Sequence, residues 1–241
     1  MTKFHEQWTV LPHGRIEEVD DGILTVEGDI PMPLGNFPRR MTAIGLSGNR
    51  SAIFSAMALK EPDMRSIEAL GEPSFLIVPN SHHRLDARIW KQRYPALKVV
   101  SPPGAKESVG EVTPVDATFG VFGDTSVELV TVAGTDEAEA ALVVSRNGRT
   151  TLVVNDVIAN VRHPRGLGAK IMARLFGFGV KCPQVPRIVK RTMVKDKTAL
   201  AGQFRAWAGD TQLQRIIVSH GDIIDNDPAG ALRLLAAKLE R

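Results

Sequence analysis

Two hydrophobic rhythms alternate along this chain. Short apolar runs recur between polar breaks: Phe75-Leu76-Ile77-Val78, Val127-Glu128-Leu129-Val130-Thr131-Val132, Ala141-Leu142-Val143-Val144, Thr151-Leu152-Val153-Val154 and Ile216-Ile217-Val218. Runs this short, rich in β-branched residues and bounded by turn formers, predict buried strands. Residues 8–11, 23–26, 41–46 and 51–54 predict opening antiparallel strands, the last two joined at Ser47-Gly48-Asn49-Arg50, and residues 98–100 predict another short strand. Asn147-Gly148 between two runs predicts a two-residue hairpin. The second rhythm is helical. Met64, Ile67 and Leu70 share a face of residues 61–70, with Pro62 in the first turn and Gly71 as the stop. Leu85, Ile89 and Trp90 do the same over 86–94, and Leu200, Phe204 and Trp207 over 196–207. In the closing helix Asp227 is the cap, Pro228 fits the first turn, and Leu232, Leu235 and Leu239 face inward. Residues 31–38, with three prolines, predict a loop over one mouth of the sheet.

Composition narrows the class. With 241 residues and 43% hydrophobic content the chain can bury a full core, and a single domain over 1–241 is expected. A lone cysteine, Cys182, excludes an internal disulfide framework and a cysteine-based zinc cluster. Residues 1–7 lack the apolar core of a signal peptide, and no uncharged apolar run approaches the ~20 residues of a spanning helix. The expected location is the cytoplasm.

Candidate chemistry sits in His82-His83-Arg84-Leu85-Asp86-Ala87, between a predicted parallel strand and a predicted helix. Open α/β sheets place their ligands at such junctions, beyond the carboxyl ends of strands. The spacing resembles the His-x-His-x-Asp-His signature of the metallo-β-lactamase-like superfamily. His82 falls on the first His and Asp86 on the Asp, while Arg84 and Ala87 replace the other two. Later landmarks of that superfamily follow in order. Thr135 of Ala133-Gly134-Thr135 stands where a third His falls, a hairpin leads to Asn155-Asp156 where a bridging Asp falls, and a late strand ends in His220-Gly221. The resemblance spans about residues 40 to 240, and identifies the chain with a divergent branch of the superfamily.

This resemblance implies a four-layer αβ/βα sandwich and a reduced metal site. One of the two family sites keeps only His82 and Asp156. The other keeps Asp86, Asp156 and His220, lacking only the residue replaced by Ala87. Three protein ligands with open positions suit one catalytic divalent metal, Zn, Mn or Fe. The implied activity is metal-dependent hydrolysis of a small anionic substrate, with His82 as a further ligand or proton carrier and Arg84 stabilising an oxyanion. Arg84 leaves a competing arrangement open. Its permanent charge, pointed inward, would neutralise Asp86 or Asp156 and replace the cation, leaving an inactive protein that binds an anionic ligand or partner. A third arrangement recruits His83 or His163 as replacement ligands.

Charge adds one feature. Residues 161–195 hold nine cations, Arg162, Arg165, Lys170, Arg174, Lys181, Arg187, Lys190, Arg191 and Lys195, and no acidic residue. The whole chain is only +3, so this basic segment is set against an acidic remainder and suggests an anionic partner near the site mouth. Within it, residues 165–178 read either as a core helix with basic outer residues or as an interfacial helix making peripheral membrane contact. One Tyr and no aromatic-rich strand argue against a nucleic-acid stacking platform. The sequence carries no signal for oligomeric state.

Overall fold

Alternating side chains in the first half of the chain build one sheet. Strands β1 (His13–Asp20), β2 (Ile23–Met32), β3 (Gly35–Leu46) and β4 (Arg50–Phe54) form an antiparallel run. Helix α1 (Glu61–Leu70) carries the chain over to β5 (Glu72–Ile77), and α2 (Ala87–Arg93) to β6 (Lys98–Val100), both strands joining parallel to their neighbours. A 3-10 turn at Pro103–Ala105 and a short helix α3 (Lys106–Gly110) follow. The second half repeats the scheme. Strands β7 (Val127–Thr131), β8 (Ala140–Arg146) and β9 (Arg149–Val154) are antiparallel, and after α4 (Leu167–Phe176), α5 (Arg187–Thr192) and α6 (Lys197–Ala208) strand β10 (Leu213–Val218) pairs parallel to β9. Helix α7 (Pro228–Leu239) closes the chain. The computed structural model describes residues 4–32, 35–164 and 166–241.

The period of two sorts each strand between two cores. Ala52, Phe54, Phe75, Ile77 and Val100 of the six-stranded sheet meet Leu142, Val144, Val153 and Ile217 of the four-stranded sheet in the central layer. Their neighbours Ile53, Leu76 and Val99 point the other way, against Met64 and Ile67 of α1 and Ile89 and Trp90 of α2. Leu152, Val154, Ile216 and Val218 likewise face Leu200 and Phe204 of α6 and Leu232 and Leu235 of α7. Helices, sheet, sheet and helices stack as a four-layer αβ/βα sandwich of α/β class, as the resemblance implied. Asn147 and Gly148, at φ of 51° and 69°, make the β8–β9 turn, and Asp227 accepts from the Gly230 amide to cap α7.

Three local expectations are corrected. Residues 8–11 are not a strand, because the Trp8 indole is spent on the helix layer: its ring lies 5.7 Å from that of Trp90 and its Nε1 donates to Leu59 O at 3.0 Å. The predicted loop at 31–38 is paired strand wherever it is described, with Pro33 and Leu34 outside the described residues. Pro38 pairs with Asp29 and Pro31 with Asn36, positions of the same parity, so one alternation of the antiparallel ladder spares both prolines. Helix α4 is not a core helix, since only Ala173 of it is buried. Among the described residues, no helix is long and apolar enough to cross a membrane.

Candidate metal centre

The chain leaves β5 through Pro79 and turns at Asn80, which is fully buried. Its Oδ1 accepts the backbone amides of His82 at 2.8 Å and His83 at 3.1 Å, an Asx-type turn. That turn decides which histidine enters the site. His83 points inward and His82 is left exposed.

Inside, three donor groups meet. His83 Nε2, Asp156 Oδ1 and His220 Nε2 lie within 4.8 Å of one another. His220 Nε2 is 2.9 Å from Asp156 Oδ1, His83 Nε2 is 3.3 Å from it, and the two imidazole nitrogens are 3.2 Å apart. Each ring is held from behind. His220 Nδ1 donates to Pro38 O at 2.7 Å, and His83 Nδ1 is 2.7 Å from Ser55 Oγ. A carbonyl can only accept, so His220 Nδ1 carries a proton and Nε2 is the ring atom turned to the cluster. Bonds of this kind orient metal-binding histidines. The Asn80 side chain completes the frame, donating from Nδ2 to Asp156 Oδ2 and to Glu139 Oε2, each at 2.7 Å.

The charges follow from burial and partners. Burial pushes the Asp156 carboxyl up, but the attraction of His83 and the hydrogen bonds of His220 and His83 outweigh it and hold it well below the usual carboxylate range. Glu139 goes the other way: burial first, then the nearby Asp156 charge, raise it well above the usual range and favour its protonated form. Burial lowers the His83 pKa and favours the neutral imidazole, the form that ligates.

The other sequence candidates are occupied elsewhere. Asp86 lies at the start of α2 with a fully buried side chain, and it receives hydrogen bonds from Arg39 Nη1 and, at 2.9 Å, from His5 Nδ1. Arg84 does not point toward either carboxylate. Its Nη1 donates to Ser108 O and, at 2.7 Å, to Glu111 Oε2 beyond α3. Neutralising Asp86, the inward role open to Arg84, therefore falls to Arg39 of β3. Thr135 Oγ1 donates to Val132 O at 2.7 Å within its own turn, and His163 is exposed beside Asp222 at 3.1 Å. So the structure brings Asp156 and His220 together with His83, and the cluster does not include His82 or Asp86. Sequence reading missed Asn80, Ser55, Glu139 and Arg39. Only Asn80 carried a local signal, an Asn just after a strand and a Pro.

Phe37 packs over the site, its ring 4.7 Å from both His220 and Phe178, so the residues after α4 reach the site's rim. No protein-family model and no curated protein matches the chain. Solved structures do. The metallo-β-lactamase FIM-1 from Pseudomonas aeruginosa in its mono-zinc form is 14% identical, with a TM-score of 0.62 over 95% of this chain and 96% of that one. The structure of VMB-1 gives 0.65 at 9% identity over 97% and 100%, and a metallo-β-lactamase from Pontibacter korlensis gives 0.63 at 10% over 92% and 98%. This chain has the metallo-β-lactamase fold. The donors of its cluster come from the strand ends where the fold family's landmarks were read, after β5, β9 and β10, with His83 in place of the residues the motif spacing had favoured.

Proposed function

We propose that this protein is a metal-dependent hydrolase with a mononuclear centre held by His83, Asp156 and His220, acting on a small anionic substrate. The observation that carries it is the convergence of two imidazole Nε2 atoms and one carboxylate oxygen within 4.8 Å. The donor set fits a metal on chemical grounds. Two ring nitrogens 3.2 Å apart with a carboxylate oxygen beside both can each turn a lone pair to one point, a donor set that a single divalent cation would satisfy. Two His and one carboxylate suit catalytic Zn, and equally Fe(II) or Mn. FIM-1, of like fold, has been captured in a mono-zinc form, which supports one metal as sufficient to occupy such a site.

A metal bound there would supply Lewis acidity, lowering the pKa of a water toward neutrality and polarising the scissile group. The chain's own residues do the rest. Pro38 O and Ser55 fix the imidazoles, Asn80 fixes the carboxylate, and Phe37 and Phe178 shield the His220 side from water. Cations at 161–195 draw an anion toward the rim.

Arg39 favours a second reading, a binding protein that needs no metal, because its guanidinium already neutralises Asp86. Elemental analysis of protein purified without chelator or added metal separates the two. About one equivalent of metal in the wild type, lost in His83→Ala and His220→Ala and retained in His82→Ala, is the expected result. A wild type without stoichiometric metal refutes the hydrolase reading.

A further inference from the structure

Helix α4 wears its apolar residues on the outside. Leu167, Ile171 and Leu175 are 79%, 59% and 59% exposed, and Ile188 of the adjoining α5 is 45% exposed. Large aliphatic side chains left in water over one contiguous patch mark an interaction surface. Spacing by four residues puts the three leucine and isoleucine side chains within an arc of about 80°, and Lys170 and Arg174 extend the same exposed side to about 140°. The opposite side, with Ala173 buried and Met172 and Phe176 half-buried, packs on the protein. Glycines delimit the helix, Gly166 at φ 91° and Gly177 at φ 73°, and Arg187 Nη1 donates to Leu175 O at 3.0 Å, tying α5 alongside.

Among the described residues, Lys170, Arg174, Lys181, Arg187 and Arg191 are all exposed and form no ion pair with a carboxylate. Partial burial and then the neighbouring charges of Lys197, Lys238 and Arg187 lower the Lys190 pKa, a mark of crowded positive charge.

We propose that α4 and α5 form a docking surface for an anionic lipid bilayer, with Leu167, Ile171 and Leu175 inserted at the interface and Lys170, Arg174, Arg187 and Arg191 among the headgroups. Charge decides the occupant. A symmetric dimer through this patch would set each cation against its own copy, because a two-fold interface uses the same surface twice. A folded protein partner needs roughly 800 Å² on each side, more than a helix about 15 Å long presents. A membrane needs only a few inserted side chains plus basic residues, and it supplies the missing negative charge. Phe178 leads from this helix to Phe37 and His220, so docking would set the rim of the metal centre at the lipid surface. The inference does not depend on the hydrolase reading.

Flotation of the full chain with vesicles of phosphatidylcholine alone, or with about 30% phosphatidylglycerol, tests it. Binding to the anionic vesicles should exceed binding to neutral ones by roughly tenfold or more at low salt, and fall as salt rises. The variants Leu167→Ser/Ile171→Ser/Leu175→Ser and Lys170→Glu/Arg174→Glu should each bind at least about tenfold more weakly, with unchanged circular dichroism because the sites are exposed. Ile171→Trp should show blue-shifted fluorescence on adding anionic vesicles, which reads insertion without disabling the patch. No flotation of the wild type, equal binding to neutral vesicles, or full binding by the triple serine variant would overturn the proposal. So would a wild-type dimer that the serine variant dissociates, or tighter capture by soluble polyglutamate than by vesicles.

Discussion

Removing the Arg39 charge should be among the most damaging single changes in this protein, and more damaging than removing Arg84. Asp86 has no solvent exposure in its side chain, and Arg39 is 6% exposed. In Arg39→Met the guanidinium is replaced by an apolar chain that still fills much of its space, leaving the buried carboxylate with His5 as its ionic partner. Breaking a buried pair from one side costs ~3–5 kcal/mol, since the remaining charge has lost its water and its counterion. For a chain of this size each kcal/mol moves the melting temperature by about 2–4 °C, so Arg39→Met should melt about 6–20 °C below the wild type. Arg84→Ala removes the bonds to Ser108 O and to Glu111, whose carboxylate is 64% exposed and regains water, so no buried charge is orphaned and the loss should be smaller, ~1–3 kcal/mol. Arg39→Met/Asp86→Leu should recover much of the loss, because an apolar pair replaces the orphaned charge. The assay is thermal and urea unfolding followed by circular dichroism, with metal content measured in parallel and expected to hold. An Arg39→Met that melts within about 2 °C of the wild type, or a double variant less stable than the single one, would refute the buried-pair reasoning.

Glu139→Gln should change how stability depends on pH. The folded carboxyl holds its proton more tightly than that of the unfolded chain, which ionises near pH 4.5, so wild-type stability falls as pH rises above that value until the raised folded pKa is passed. The melting temperature of Glu139→Gln relative to wild type should therefore climb as pH rises above about 4.5, and a pH-independent difference would count against a raised Glu139 pKa. Gly221→Ala should cost on the order of 3 kcal/mol and release metal, because φ there is 102° and an added Cβ would stand 2.2 Å from Asn160 O; unfolding curves and elemental analysis read both effects, and a stable variant with full metal would contradict it. β-Lactam hydrolysis should be absent or negligible, since the family's His positions at Arg84, Ala87 and Thr135 are gone; turnover with kcat/KM of roughly 10⁴ M⁻¹s⁻¹ or more would exclude this reading.

Much of the architecture is written in local pattern. The period of two in residues 51–54, 75–77 and 152–154 assigns each side chain to a core, and Asn147-Gly148, Asp227 and Pro228 mark turn and helix start, because sheet alternation, turn chemistry and capping act within a few residues. Asp156 and His220, which the structure brings together in the candidate site, were legible through the resemblance because each follows a strand whose end the apolar run announces. The partner of those two was not. His82 and His83 are adjacent in an irregular turn with no period to orient them, and the choice is made by Asn80, whose own side chain is fixed by Glu139 and Asp156, 59 and 76 residues away. The fate of Asp86 is likewise a long-range matter. Arg84 is two residues from it and reaches Glu111, whereas Arg39, 47 residues off, neutralises it, because the antiparallel β3 carries Arg39 to the start of α2. The outward face of α4 follows the same logic: periodicity shows that a helix has an apolar side, but only the packing of β3, α5 and the rim shows that this side meets no protein. Sequence determines what neighbours in the chain can settle between themselves; which charges pair, which ring enters the site and which face stays in water are set by distant elements brought together by burial.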